Sequence, residues 1–328
     1  MLIARFIPLL IICLLVGCAK HASAPKQVET SGPSDEVPFP LEDYPVYSST
    51  DYGKSWEPAG MDLPIEVQGS FLEAKGGKIV MGTDGQGLFL SDPDIGTWRQ
   101  IGTGLPEKKI NALHVSGDSI LVGLYQNGIW LSTDEGKTWK DLNSNIIHLN
   151  VNAILTVGES LFAGTDIGIF KSQAEKLDWK WVHEQDQIVS LQETSQGLIA
   201  GSTQGVLMSS NAGDSWEQKD NGGALHNTAY QSGKIFCLYI FGELRISSDH
   251  GENFRTIPYD PHLASYIYEL IQIDDHFLFT NNYGVHSSID GGESWDLVFP
   301  NESNIFMDFL VKNGFVYACR RNRNEFRD

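Results

Sequence analysis

An eight-residue pattern, Ser-x-Asp-x-Gly-x-Ser/Thr-Trp, returns along this chain at a near-constant interval. It restricts the possible folds more than any other feature. Clean copies stand at Ser49–Trp56, Ser132–Trp139 and Ser288–Trp295. Near copies stand at Ser209–Trp216, with Asn211 for Asp, and at Ser247–Phe254, with Phe254 for Trp. Ser91–Trp98 and Ser172–Trp179 keep only the end residues in register. Successive copies start 42, 41, 40, 37, 38 and 41 residues apart. A fixed period of this size means a repeat architecture, in which each unit buries its apolar face only against its neighbours.

The residue types of the octet suit a tight turn. Asp51, Asp134, Asp249 and Asp290 are placed to accept backbone N–H groups two or three residues on, as in an Asx-turn. Gly53, Gly136, Gly251 and Gly292 stand where positive φ is expected. The Ser or Thr before the aromatic residue supplies a closing hydroxyl. Trp56, Trp139 and Trp295 then open the next strand and are expected to pack between adjacent sheets. With Ser49, Ser132, Ser247 and Ser288 at the first position, these are the structural residues of the octet. A calcium loop is the rival reading, but the carboxylate spacing does not match one.

Upstream of each octet lie three short runs rich in β-branched and aromatic residues. Ile110–Val115, Ile120–Gly123 and Gly128–Ser132 form one such set, separated by Gly, Asn and Asp. No segment sustains a helical period. Three strands before the octet and one after it make a four-stranded blade, so the fold class is all-β, a seven-bladed β-propeller. Six units lie between the first and last octets. The seventh blade needs Tyr44–Pro58 for its outer half and Ile305–Cys319 for its inner half, which closes the ring and removes both free edges. Glu325–Asp328 resembles a third strand and competes with Pro45–Ser48 for that place.

The octet resembles the Asp-box (BNR repeat) of the sialidase, sortilin and photosystem II assembly-factor propellers, and the resemblance runs from about Ser49 to the C-terminus. It implies a box between the third and fourth strands of each blade, on the face away from any ligand. It also implies that the boxes are structural.

Residues 1–17 read as a lipoprotein signal peptide. Arg5 is the positive end, Phe6–Val16 is an apolar stretch too short to span a bilayer, and Leu15–Cys18 resembles a lipobox. A plain signal peptide cleaved elsewhere is the alternative. Cys18 is then the lipidated N-terminus, and residues 18–43, rich in Pro, Ser, Glu and Lys, form a flexible tether. Residues 44–328 form the propeller. The expected location is outside the cytoplasm, anchored by lipid alone. Ala19 resembles the outer-membrane sorting pattern if the cell has two membranes.

The chain carries 23 basic and 42 acidic residues, a formal net charge of −19. Such a protein is repelled by phosphate backbones and anionic headgroups, so nucleic acid is not expected as a partner. Cys237 and Cys319 fall in second strands of the fifth and seventh blades, too far apart for a disulfide, and read as small buried residues. The histidines show no metal-ligand spacing. No cofactor is expected.

In a propeller the turns joining strand two to three, and strand four to the next blade, share one face around the channel mouth. On those turns stand Asp84, Tyr125, Asp166, Tyr239 and Tyr283, which suit sugar or peptide backbone and equally suit ordinary turns. An arginine cluster, Arg320, Arg321 and Arg323, stands out in an acidic chain. It reads either as a patch for carboxylate-bearing partners or as a solvated tail. The sialidase resemblance implies a substrate-clasping arginine triad and an Arg-Ile/Leu-Pro motif. The motif is absent, and Arg99, Arg245 and Arg255 are not placed to converge. A different glycosidase needs paired carboxylates facing the channel. The expected function is therefore non-catalytic: a protein-binding or assembly scaffold, with an acidic partner where the arginine patch is the contact. Surface carbohydrate binding and a degenerate sialidase-like glycosidase are the alternatives.

Overall fold

A computed structural model describes residues 44–92, 96–173, 176–257, 266–300 and 304–322, all within one unit spanning Pro40–Asp328. The signal peptide, Cys18, the tether, Arg323 and the Glu325–Asp328 segment lie outside the described residues. So do parts of the two eroded octets.

Seven antiparallel sheets of four strands account for all the regular structure of the described residues, and none of it is helical. The innermost strands of blades 1 to 7 are Gly69–Lys75, Ile110–Ser116, Val151–Val157, Ile188–Thr194, Leu225–Gln231, Ile267–Ile273 and Asn304–Lys312. Each packs against the innermost strands on either side, which closes the ring. In blades 1 to 6 the second strands, such as Ser119–Leu124 and Ser160–Thr165, are buried at every position but the first. They do not alternate, because both faces of a blade are covered by neighbouring blades. Outermost strands such as Lys140–Asp141 are exposed. The core is accordingly seven apolar clusters rather than one. Between blades 3 and 4, for example, Phe162, Leu191, Leu198 and Leu207 pack together, with Trp216 at the edge. Each such side chain contributes about 1.5–3 kcal/mol by leaving water.

The seventh blade is composite, in the strand order Glu57–Pro58, Val46–Ser49, Phe315–Asn322, Asn304–Lys312. The register pairs Val46 with Cys319 and Ser49 with Val316. Residues 46–49 thus take the third-strand place, and ends far apart in sequence seal the ring.

The octets sit between third and fourth strands. In the copy at Ser132, the Ser132 hydroxyl accepts the Gly136 N–H (2.8 Å) and donates to Asp134 (2.8 Å). Asp134 in turn accepts the Thr138 N–H (2.9 Å) and hydroxyl (2.6 Å), while the Trp139 indole N–H reaches the Gly136 carbonyl (3.1 Å). The copies at Ser49 and Ser288 repeat this network. The carboxylate takes the backbone N–H four residues on in each of these copies, and at Asp290 also the one three residues on (3.0 Å), because two consecutive left-handed residues tighten the turn. Glu135 has φ 59° and Gly136 φ 78°. Glycine is needed there for a second reason. A Cβ on Gly136 would lie 2.8 Å from Cβ of Ile101 in the preceding blade, and one on Gly213 would lie 2.3 Å from the Phe162 ring. The turn is therefore also a contact between blades. Tryptophan burial is less uniform than the pattern predicts. Trp56 and Trp179 are buried, whereas Trp98, Trp139, Trp216 and Trp295 are only half-buried.

Candidate functional site: the channel and its mouth

Every inner strand carries a register shift near its start, between Gly69 and Phe71 in blade 1 and at the matching place in the other six. A bulge adds a residue and re-aims its side chain. The extra residues are Ser70, Asn111 and Asn152 in blades 1 to 3, and Val189, His226, Tyr268 and Met307 in blades 4 to 7. All seven line one central cavity of about 1000 Å³. The fold thus converts a repeated irregularity into a ring of unlike side chains.

Around this mouth, Asp166 accepts from the carboxamides of Asn150 (2.8 Å), Asn152 (2.9 Å) and Gln187 (3.1 Å). Asp84 pairs with Lys109 (3.2 Å) and Arg321 (3.2 Å), and Arg321 also donates to the Ser70 hydroxyl (2.6 Å). Tyr266 packs at a tilt against His226 and hydrogen-bonds to it, and the Tyr268 hydroxyl donates to Asn282 (2.8 Å). Burial drops the His226 imidazole to about 4, against a weak opposing effect of the Tyr268 backbone.

Three buried carboxyls, Glu73, Glu269 and Asp308, line the channel from blades 1, 6 and 7. Asp308 accepts the Leu72 N–H at 2.6 Å, and Glu269 accepts from Asn227 at 2.7 Å. Burial raises all three, aided at Glu73 and Glu269 by the charge of Asp308. Glu73 rises to about 8 and Asp308 to about 7, while Glu269 stands well above the usual carboxylate range. The sequence reading missed these residues. The signal that finds two of them, Glu269 and Asp308, is columnar, and Glu73 stands outside it. The residue after each bulge is Phe71, Ala112, Ala153, Ser190, Asn227, Glu269 and Asp308 in blade order. That column is apolar in blades 1 to 3, polar and uncharged in blades 4 and 5, and acidic in blades 6 and 7.

Of the residues expected at the ligand face, Asp84, Tyr125, Asp166 and Arg321 line the cavity together. Tyr283 is partly exposed on its turn outside that lining. Tyr239 is not a surface aromatic. It is 3% exposed, its hydroxyl bonds to Asp220, and the Arg245 guanidinium lies 4.9 Å from its ring centre. The apolar sequence around it (Ile235–Tyr239) places it at the buried end of a second strand. Arg320 is not a surface cation either. It is 1% exposed, and its guanidinium donates to the carbonyls of Tyr44 (2.6 Å) and Ile65 (3.4 Å) while its N–H bonds to Pro45 O (3.0 Å). It fastens the closing seam. Cys237 and Cys319 are both free and buried. Among the described residues no group of three or more His, Cys, Asp or Glu is arranged to hold a metal ion.

No protein-family model and no curated protein sequence matches the chain. Solved structures do. YCF48 from Cyanidioschyzon merolae superposes with a TM-score of 0.61 at 16% identity, over 78% of this chain and 97% of that one. YCF48 bound to a D1 peptide gives 0.60 at 15%, over 85% and 98%. An ancestral GH74 enzyme gives 0.57 at 14%, over 78% of this chain and 40% of that one. At these identities the likeness speaks for the propeller fold.

Proposed function

We propose that this chain is a non-catalytic protein-binding scaffold. It presents the mouth face of a rigid ring to a partner outside the cytoplasm and is held at a membrane by lipid on Cys18. The observation that carries the reading is an asymmetry between the two faces. Met61, Ile65, Ile147 and Leu149 on interblade loops, and Tyr125, Phe241 and Tyr283 on turns, are exposed around the mouth. On the opposite face the exposed large apolar side chains are Ile289, Val311 and Phe315. Apolar side chains gathered on one face mark an interaction surface. The YCF48 structure with its D1 peptide supports the reading by precedent, since a ring of this fold can take a peptide. The arginine cluster gives less support to an acidic partner, because Arg320 and Arg321 are engaged within the ring.

The test is site-specific photocrosslinking in cells from positions 241 and 289, on opposite faces. One protein captured in near-stoichiometric amount from 241 and not from 289 is the expected result. Cys18→Ser should move the chain out of the membrane fraction. Capture of glycan, or equal capture from both positions, would abandon the scaffold reading. Carbohydrate binding or hydrolysis is the second reading. The carboxamides around Asp166 and the three channel carboxyls favour it, and a glycan array with a hydrolase panel tests it.

A further inference from the structure

The mouth face also has a definite charge. Its cations are already committed to partners within the ring. Lys109 and Arg321, the Lys and Arg side chains among the described residues of the cavity wall, both pair with Asp84. Nearby, Arg245 is held by Asp220 (3.0 Å) and Glu243 (2.7 Å), and Arg320 by backbone carbonyls. The carboxyls are not matched in this way. Asp166 is held by amides alone, and Glu73, Glu269 and Asp308 stand along the channel with no cation among their partners. The Glu73 carboxyl has no hydrogen bond or ion pair among the described residues. A cavity of about 1000 Å³ admits an extended chain, and a cation brought among buried acids favours their ionised form, so the pair forms with release of a proton.

We infer that the mouth face takes an extended cationic segment of a partner protein. A Lys or Arg side chain enters the channel towards Glu73, Glu269 and Asp308, and flanking apolar side chains rest on the rim near Phe241, Ile147 and Met61. The inference rests on the protein-binding reading and adds the chemistry of the partner. Apolar contacts on the rim supply affinity without regard to charge. The channel carboxyls supply the choice of sign, and charge complementarity of this kind acts chiefly on specificity and association rate.

Three fluorescein-labelled peptides test this on the full-length lipoprotein in detergent at pH 9, above the value of about 8 to which burial lifts Glu73. They share one apolar sequence and differ in a central Lys-Lys, Gln-Gln or Glu-Glu pair. The Lys peptide should bind at least about tenfold tighter than the Gln peptide, with the Glu peptide weakest. The preference should shrink as ionic strength rises. Glu73→Gln should bring the Lys and Gln affinities together while leaving the Gln peptide unchanged, and Glu269→Gln serves as the second variant should Glu73→Gln fold poorly. Equal binding of all three peptides would overturn the cationic inference and leave the scaffold reading standing. Tightest binding of the Glu peptide would overturn it in favour of an acidic partner. Binding of none would also overturn it, and the crosslinks from positions 241 and 289 would then report on the scaffold reading independently.

Discussion

The octet face and the channel both carry rows of carboxyl groups, and the two rows behave in opposite ways. On the octet face, hydrogen bonds from the Thr138 hydroxyl and N–H hold Asp134 down to about 2, and Asn253 does the same for Asp249. In the channel, burial lifts Asp308 to about 7 and Glu73 to about 8. An Asp of the octet meets donors supplied by its own turn, within five residues. A channel carboxyl meets protein on several sides and other acids. One arrangement stabilises the charged form and builds the ring. The other holds acid groups in reserve at the centre, where they add little to the fold. This contrast separates framework from candidate site.

The framework is broken most severely where an octet residue is also fully buried. Trp56 is 7% exposed and packs against Phe306, Phe309 and Phe299 across the junction of blades 6 and 7. Trp56→Ala should cost about 3–5 kcal/mol, because the stiff neighbouring strands leave much of the cavity unfilled. Trp216→Ala, at a half-buried copy of the same position, should cost clearly less. Chemical denaturation of both variants checks this. Equal losses would mean that the octet acts through its turn hydrogen bonds and not through packing.

That difference also explains what was legible in the sequence. The octet could be read because its interactions are local. Ser49 reaches Gly53, and Asp51 reaches Ser55, so the chemistry lies in one short string. Its period then gave the blade count and the closure of the ring. The burial of each tryptophan depends on the neighbouring blade, and the string does not record it. The channel carboxyls were hidden for the same reason. Glu73, Glu269 and Asp308 come from three blades and line one channel only once the ring is shut. Arg320 misled because a run of arginines near a terminus reads as solvated. Only the register with Val46–Ser49 brings the Tyr44 and Ile65 carbonyls to it.

The second prediction uses pH to separate the two rows. Octet carboxylates have folded values below the unfolded value of about 4, so their stabilisation is present above that pH and is lost as pH falls towards 2. Channel carboxyls have folded values above it. Their stabilisation is full below about pH 4 and is lost as pH rises towards 8. His226 and His286, both lowered to about 4 by burial, oppose the channel trend up to the ordinary histidine value of about 6.5. The clean window is therefore pH 6.5–8. There the wild-type protein should lose roughly 1–2 kcal/mol through Glu73, and Glu73→Gln should remove that share of the slope while Asp308 and Glu269 keep theirs. A wild-type protein with flat stability across that window would show that the channel carboxyls are already ionised and hydrated.

The smallest expected effect on stability is at the mouth rim, and it tells most about the division between framework and site. Phe241 is 88% exposed on the turn between the second and third strands of blade 5. The corresponding turns of other blades carry polar residues such as Gln126 and Asn127 in blade 2, or Thr203 and Gln204 in blade 4. A phenyl ring in that place holds no fold together, so Phe241→Ser should change stability by no more than about 0.5 kcal/mol. It should nevertheless weaken partner capture by the mouth face, because an exposed ring gives up its apolar burial until something covers it. Thermal unfolding and crosslinking yield from a second mouth-face position, 147, measured on the same variant, separate the two effects. A large fall in Tm would return Phe241 to the framework. An unchanged Tm with unchanged capture would move the docking surface to the Met61 and Ile147 side of the ring. Unchanged Tm with lost capture is the combination that makes the rim a surface maintained for a partner, since the ring stands equally well without it.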